Sequence, residues 1–425
     1  MTRLRWERWV REHGWVVSGA YVLLAILLAL VLSRIDRSHP IESVDVIENS
    51  AAEQLLGAIA AGMIAFTAIV FSISLVVAQF WNTAYSFRLT QWLRQTPLMA
   101  HAFGIFSATF VYAIAALLVL GRHGSARLVL TELASITLLL ASVLVFLLLL
   151  YGTLRQMNLS YVLVLVGNRG REVIDDLYGA PGTGGAVDTG KELDGATESG
   201  RIVHRGAPKV VLAVDFKGLV ELATAAEARI DIAVGVGDTV PDGAVVARIS
   251  GGMIEENRVR RAFMLGNERT MEQDPKLALR LLVDVAIKAL SPAINDPTTA
   301  VQALDQIEDL LRRLGQRTLD LGHLVGVRGF TRVTYPAPTW DDLVALGLDE
   351  IRMYGSDSLQ VVRRLRLLLE NLAETVTPDR RAPVLDRLER LDAAIEAGIP
   401  APDRADARVT DPQGLGLSRA RVGTT

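Results

Sequence analysis

Five neutral hydrogen-bonding side chains, Thr67, Ser72, Ser74, Gln79 and Asn82, lie along one long apolar stretch of this chain. Hydroxyl and amide groups on an apolar helix have two uses. They bond neighbouring helices as packing contacts. Where several copies of the helix surround an axis, they line a pore without fixed charge. A second polar set occupies residues 291–299, SPAINDPTT. In one reading Asn295, Asp296, Thr298 and Thr299 form a ligand or docking corner. In the other, Asp296 caps a helix and the prolines stiffen a helix–helix corner. A third set, Glu268, Glu272 and Asp274, is either an acid cluster for a cation or a run of solvated charges ending in a helix cap.

What the chain lacks excludes much other chemistry. It has no cysteine, hence no disulfide, thiol nucleophile or thiolate metal site. Its histidines, His13, His39, His101, His123, His204 and His323, have no ligand spacing. No nucleophile elbow, Walker loop or dinucleotide fingerprint occurs, and Gly235-Val-Gly237 runs into a strand pattern instead of a helix. The expectation is no enzyme, no cofactor and no metal.

The elements that must position these groups begin with four apolar stretches, residues 15–32, 55–80, 100–120 and 133–151. A helix crosses a bilayer with about 20 apolar residues, so all four are expected to span it. The first has no small-residue cleavage site after it and reads as a retained span. Arg3, Arg5, Arg8, Arg11, Arg88, Arg94, Arg155, Arg169 and Arg171 fall on one side, against Arg34, Arg37, Arg122 and Arg127 on the other. That asymmetry puts both termini in the cytoplasm. Asp36, Glu42, Asp45, Glu48 and Glu53 then make an acidic outer loop. The second stretch is the longest, about 39 Å at 1.5 Å per residue. Its pairs Ala58/Gly62, Ala61/Ala65 and Ser74/Ala78 are of the small-xxx-small kind that lets helices approach closely, and they predict a homo-oligomer.

The rest of the chain is soluble in character. It carries 33 Lys and Arg against 39 Asp and Glu, whereas residues 1–157 carry 11 against 8. An acidic domain of this kind lacks the footprint of a nucleic-acid binder. Residues 158–200 read as a cytoplasmic helix continuing from the fourth span, then a flexible Gly-rich loop with seven glycines in its last 22 residues. Residues 201–252 read as a small β module turning at Gly237-Asp238 and Asp242-Gly243. Its pattern resembles half of a barrel-sandwich hybrid; the plainer alternative is a β module made of Gly-Asp turns. No lysine sits at a hairpin tip to serve as a carrier attachment point. Residues 253–400 read as helical. Asp274-Pro275 and Asp296-Pro297 each open a helix, and the first is apolar nearly all round except for Lys276, Arg280, Asp284 and Lys288. So narrow a polar stripe predicts burial in a core or an oligomer contact. Residues 401–425 read as a disordered tail.

Residues 265–275 (LGNERTMEQDP), 282–300 (LVDVAIKALSPAINDPTTA) and 69–79 (IVFSISLVVAQ) through Arg88-Leu89 resemble the signature of a bacterial family of predicted membrane proteins, domain of unknown function 2254. The Gly237-Asp238 module resembles the same family, and the likeness covers roughly residues 15–375. It implies architecture: a bacterial inner-membrane protein with four transmembrane helices, mostly α-helical, bearing a cytoplasmic α+β domain. The functional expectation is an oligomeric channel for an ion or small solute, gated by that domain. The alternative is a membrane scaffold or sensor that recruits a cytoplasmic partner.

Overall fold

The computed structural model describes residues 14–38, 49–84, 88–90, 98–122, 129–178, 197–319, 323–325, 331–412 and 414–415. They fall into two compact units, Met1–Asn158 and Leu159–Thr425.

The first unit is four helices, α1 (Gly14–Ser38), α2 (Asn49–Ala84), α3 (Leu98–Arg122) and α4 (Val129–Gln156). All four are long and apolar enough to cross a membrane, over Val16–Ser38, Ala51–Phe80, Met99–Gly121 and Val129–Arg155. Small residues bring α1 and α3 together. A Cβ on Gly104 would lie 2.6 Å from the Tyr21 ring. Ala25 and Ala29 on α1 and Ala108, Ala113 and Ala116 on α3 are buried in the same cluster. The Ser18 hydroxyl donates to the Ala100 carbonyl (3.1 Å), and the Tyr21 hydroxyl lies 3.2 Å from His101 Nδ1. Deeper in the unit, the Thr109 and Ser142 hydroxyls bond at 2.8 Å and join α3 to α4. Asp36 departs from the outer-loop expectation. It sits in the last turns of α1, buried, and its carboxylate accepts from the Leu130 and Thr131 amides (3.0 and 3.1 Å). One helix thereby caps another: the orphan amides at the start of α4 find their acceptor on α1.

The second unit opens with α5 (Leu159–Leu177), set off from α4 by a turn at Met157-Asn158. It is a separate helix, not a continuation of the fourth span. Residues 179–196, most of the expected Gly-rich loop, lie outside the described residues, and Glu198–Gly200 already belong to β1. The strands are β1 (Glu198–Val203), β2 (Lys209–Val214), β3 (Ala228–Ile232), β4 (Thr239–Val240), β5 (Val245–Gly251), β6 (Phe263–Gly266), β7 (His323–Val325) and β8 (Thr331–Thr334). They form a five-stranded sheet, β1-β5-β3-β8-β7, and a three-stranded sheet, β4-β2-β6. Two features were absent from the sequence expectation. A helix, α6 (Phe216–Ala225), is inserted between β2 and β3. The sheets also extend past residue 252 by taking in β6, β7 and β8, with β8 parallel to β3. One core unites both sheets and α6 through Val211, Leu219, Ile230, Val246, Phe263 and Val333.

After the short α7 (Glu256–Arg261) come α8 (Pro275–Ala289), α9 (Pro297–Gly315), α10 (Trp340–Gly355), α11 (Leu359–Thr375) and α12 (Arg381–Gly398). The starts of α8 and α9 match the cap and proline signals. The nearly all-apolar α8 is buried in the unit's own core, against α5, α9 and α10, so its composition needs no second chain. Arginines with little exposure stitch this layer together. Arg364 bonds Asp305 (2.8 Å) and Glu308 (2.6 Å), and Arg387 bonds Asp341 (2.6 Å) and Asp349 (3.1 Å). The expected disordered tail is ordered as far as residue 415 where it is described. In α13 (Arg404–Ala407) Ala407 is buried, and Arg363 Nε donates to the Asp406 carbonyl at 2.8 Å.

Candidate functional site

Four of the five polar side chains on α2 divide between opposite faces. At about 100° per residue, Thr67 and Ser74 fall with the buried Met63, Val70 and Val77, whereas Ser72 and Gln79 point the other way and are exposed. The hydroxyls bond back along their own helix: Thr67 to Met63 O (2.8 Å), Ser72 to Ala68 O (2.9 Å) and Ser74 to Val70 O (2.7 Å). Thr67 also lines an apolar groove of about 480 Å³ between α2 and α3, with Phe71, Phe103, Ser107 and Phe110. The side chain of Asn82 lies outside the described residues.

The outward face of α2 carries a seam that the five-residue set only touched. Gln54, Ala58, Ala61, Ala65, Ala68, Ser72, Leu75 and Gln79 are all exposed, at alternating spacings of four and three. That alternation keeps one stripe facing a partner helix. It runs about 38 Å at 1.5 Å per residue. A Cβ on Gly62, beside the stripe, would meet nothing within 4 Å. The outward residues of the other spans are bulky: Leu23, Leu27 and Leu30 on α1, and Leu140, Leu144 and Leu147 on α4.

The corner at 291–299 behaves as a cap. The Asp296 carboxylate accepts from the Thr299 amide (3.1 Å) and from its hydroxyl. Asn295 turns the chain at φ 50 and is exposed, as is Thr298. The structure thus brings Asp296 and Thr299 together and leaves Asn295 and Thr298 apart from them.

Glu268, Glu272 and Asp274 do not converge either, and among the described residues no three His, Asp or Glu side chains are placed to hold a metal. Asp274 occupies the cap position of α8 without bonding its amides. It is fully buried and instead accepts from Arg269 Nε at 2.7 Å. Its other oxygen has no hydrogen-bond partner among the described residues. This ion pair lies beneath the Gly235–Asp238 turn, where a Cβ on Gly237 would stand 2.3 Å from the Arg269 guanidinium and 2.5 Å from the Asp274 carboxylate. Asp238 holds the turn by accepting from the Gly235 amide (2.7 Å), and the Val236 amide donates to the Tyr335 hydroxyl (2.9 Å). Gln273 accepts from the Val214 amide at 2.9 Å, which ties the same loop to β2. Burial pushes the Asp274 carboxyl above the usual range, against the pull of Arg269 and Lys276. Burial also pushes Tyr178 up to about 12, with Tyr335 and Asp274 adding to it. Two signature stretches far apart in sequence therefore meet as one lock at the junction of sheet and helices. The sequence signals for it were Gly237, the only type that fits there, and Asp274-Pro275.

Sequence reasoning also missed Glu132. It precedes the fourth apolar stretch by one residue, and the structure buries it.

Residues 11–371 match the family described as Predicted membrane protein (DUF2254). An uncharacterized protein of Mycobacterium tuberculosis (strain H37Rv) and one of Mycobacterium bovis are each 28% identical over 391 residues, covering 87% of this chain and 74% of theirs. No solved structure matches the chain. The chain belongs to the bacterial DUF2254 family of predicted membrane proteins.

Proposed function

We propose that this membrane protein works as a homo-oligomer in the bacterial inner membrane, with α2 at its axis. Both termini lie in the cytoplasm, as the arginine asymmetry favours. The assembly passes an ion or small solute passively, and the soluble unit gates it without catalysing a reaction. The α2 seam carries this reading. A stripe of Ala, Ser and Gln, broken by Leu75 and flanked by the exposed Ile64, Ile69, Phe71 and Val76 of the same helix, suits a close helix partner better than lipid. Small residues at that spacing favour helix–helix approach, and a neutral polar ring at Gln79 supplies a constriction that admits water. The Thr67 and Ser74 hydroxyls, turned to the helix's packed side, are left out of the lining.

One observation favours the scaffold or sensor reading instead. The Ser72 hydroxyl is engaged by Ala68 O at 2.9 Å, and four alanines of the seam allow packing so close that no lumen remains. Current through a planar bilayer containing the purified protein separates the two. In a channel, Gln79→Leu lowers conductance by making the constriction apolar, and Gln79→Glu shifts selectivity towards cations. In a scaffold there is no current, and the Leu change costs only about 0.6 kcal/mol, the mean for a polar contact in a membrane bundle. Absence of current from a reconstituted oligomer refutes the channel.

A further inference from the structure

The groove of about 480 Å³ between α2 and α3 opens beside the α2 seam. Ile64, Ala68 and Phe71 line its α2 side, and Phe103, Ser107 and Phe110 line its α3 side. Ile64 and Phe71 are 60% and 63% exposed, so two bulky apolar groups stand at its mouth. Ala68 belongs to the seam as well as to the groove, which makes the two surfaces continuous.

The seam has unlike flanks. At about 100° per residue, Ile64 and Phe71 lie about 70–90° to one side of its centre line, and Ile69 and Val76 about 50–70° to the other. Ile69 and Val76 are 48% and 58% exposed. One flank is therefore hollowed by the groove, and the other carries two branched side chains that project. Copies of one chain insert in the membrane with one orientation, so their α2 helices run parallel. When copies are related by rotation about the membrane normal, each presents one flank to the opposite flank of the next. In heptad terms the seam supplies positions a and d, Ile64 and Phe71 are at g, and Ile69 and Val76 are at e. In a parallel pair, g of one helix faces e of the other. That register brings Ile69 of the next copy to Ile64, and Val76 of the next copy to Phe71.

We propose that the α2–α3 groove is a socket for a second copy of this chain, whose Ile69 enters between Ile64 and Phe71 while its Val76 packs on Phe71. The socket rests on the reading of α2 as the oligomer contact and adds α3 to that contact. Helices associate in lipid by close van der Waals packing, because the lipid tails are as apolar as the side chains. A branched side chain seated in a groove makes more such contacts than a stripe of alanines alone.

The test is cross-linking between two differently tagged forms of the full-length chain, co-expressed and kept in native membranes. One form bears Ile69→Cys and the other Ser107→Cys. Neither change adds bulk, and the chain has no native cysteine. Oxidation, or a short bis-thiosulfonate linker, joins the two tags only where α2 of one copy touches α3 of another. The expected result is a mixed-tag dimer from this pair and none from Leu27→Cys with Ser107→Cys. Ala65→Cys on both forms reads the seam in the same membranes. Cross-linking at Ala65 with no mixed-tag dimer from Ile69→Cys and Ser107→Cys overturns the socket, as a lipid chain in the groove would, and leaves the α2 contact standing. Absence of both products overturns the socket and the α2 contact together.

Discussion

Gly237→Ala is expected to cost the soluble unit far more than the same change at Gly243. Both glycines have positive φ, 90 and 80, so alanine at either meets a backbone penalty of about 1–2 kcal/mol. At Gly243 that is nearly the whole cost, because the nearest atom to the new methyl is 4.0 Å away. At Gly237 the methyl would stand 2.3 Å from the Arg269 guanidinium and 2.5 Å from the Asp274 carboxylate. Arg269 is about one-third exposed and can swing away, whereas Asp274 is 0% exposed and cannot. Breaking a buried ion pair so that one charge stays behind costs about 3–5 kcal/mol. With the backbone cost, the loss comes to about 4–7 kcal/mol, a large part of the 5–15 kcal/mol typical of a domain. At about 2–4 °C per kcal/mol for a unit of this size, Tm falls on the order of 10–20 °C at Gly237, against a few degrees at Gly243. The assay is thermal protection of full-length protein in detergent, followed by hydrogen exchange in peptides from α8, so that the membrane unit does not contribute. Equal losses at the two glycines would refute the claim that the turn is built around the Arg269–Asp274 pair.

Asp296→Ala removes a cap and should cost about 1 kcal/mol, while Asn295→Gly, at a residue with φ 50, should be neutral or stabilising; urea midpoints of the two variants check this. Gly104→Val should destabilise the membrane unit by about 1–3 kcal/mol through overpacking on Tyr21, and Gly57→Val, with nothing within 4 Å, should not; retention of folded protein on heating in detergent separates them. Because burial raises the Asp274 carboxyl, the folded state keeps a proton that the unfolded chain has already released. Between the ordinary Asp value and the raised one, stability should therefore fall as pH rises, and Asp274→Asn should flatten that slope in Tm measured from pH 4 to 8.

Local signals read well from sequence where one residue decides the outcome. Proline after aspartate fixed the starts of α8 and α9, and uninterrupted apolar runs located all four spans. Contacts between distant segments did not read. Asp36 looked like a loop acid because its acceptor role depends on amides at residues 130 and 131, far along the chain. Arg364 and Arg387 gave no signal in the sequence, because their carboxylate partners lie on other helices. The tail looked disordered because its few apolar groups, such as Ala407, matter only against α11 and α12. For the α2 candidates, polarity was legible but direction was not. Listing Thr67, Ser72, Ser74, Gln79 and Asn82 by type hid the half-turn that separates Ser72 from Ser74 and the alanines that continue the stripe of Ser72 and Gln79.

On the proposed function, the outward seam of α2 meets its own copy. The chain has no native cysteine, so single cysteines can be placed without background. Cysteines at Ala58, Ala61, Ala65 and Ala68 test the seam; Ala52 and Ala60, buried within the same chain, and Leu27, outward on α1, are the controls. A disulfide requires Cβ atoms about 3.5–4.5 Å apart, so oxidation in native membranes reports only close approach. Covalent dimers are expected at the four seam positions and none at the controls. Monomer at all four seam positions, or cross-linking at Leu27 in their place, would rule out a seam between copies of α2.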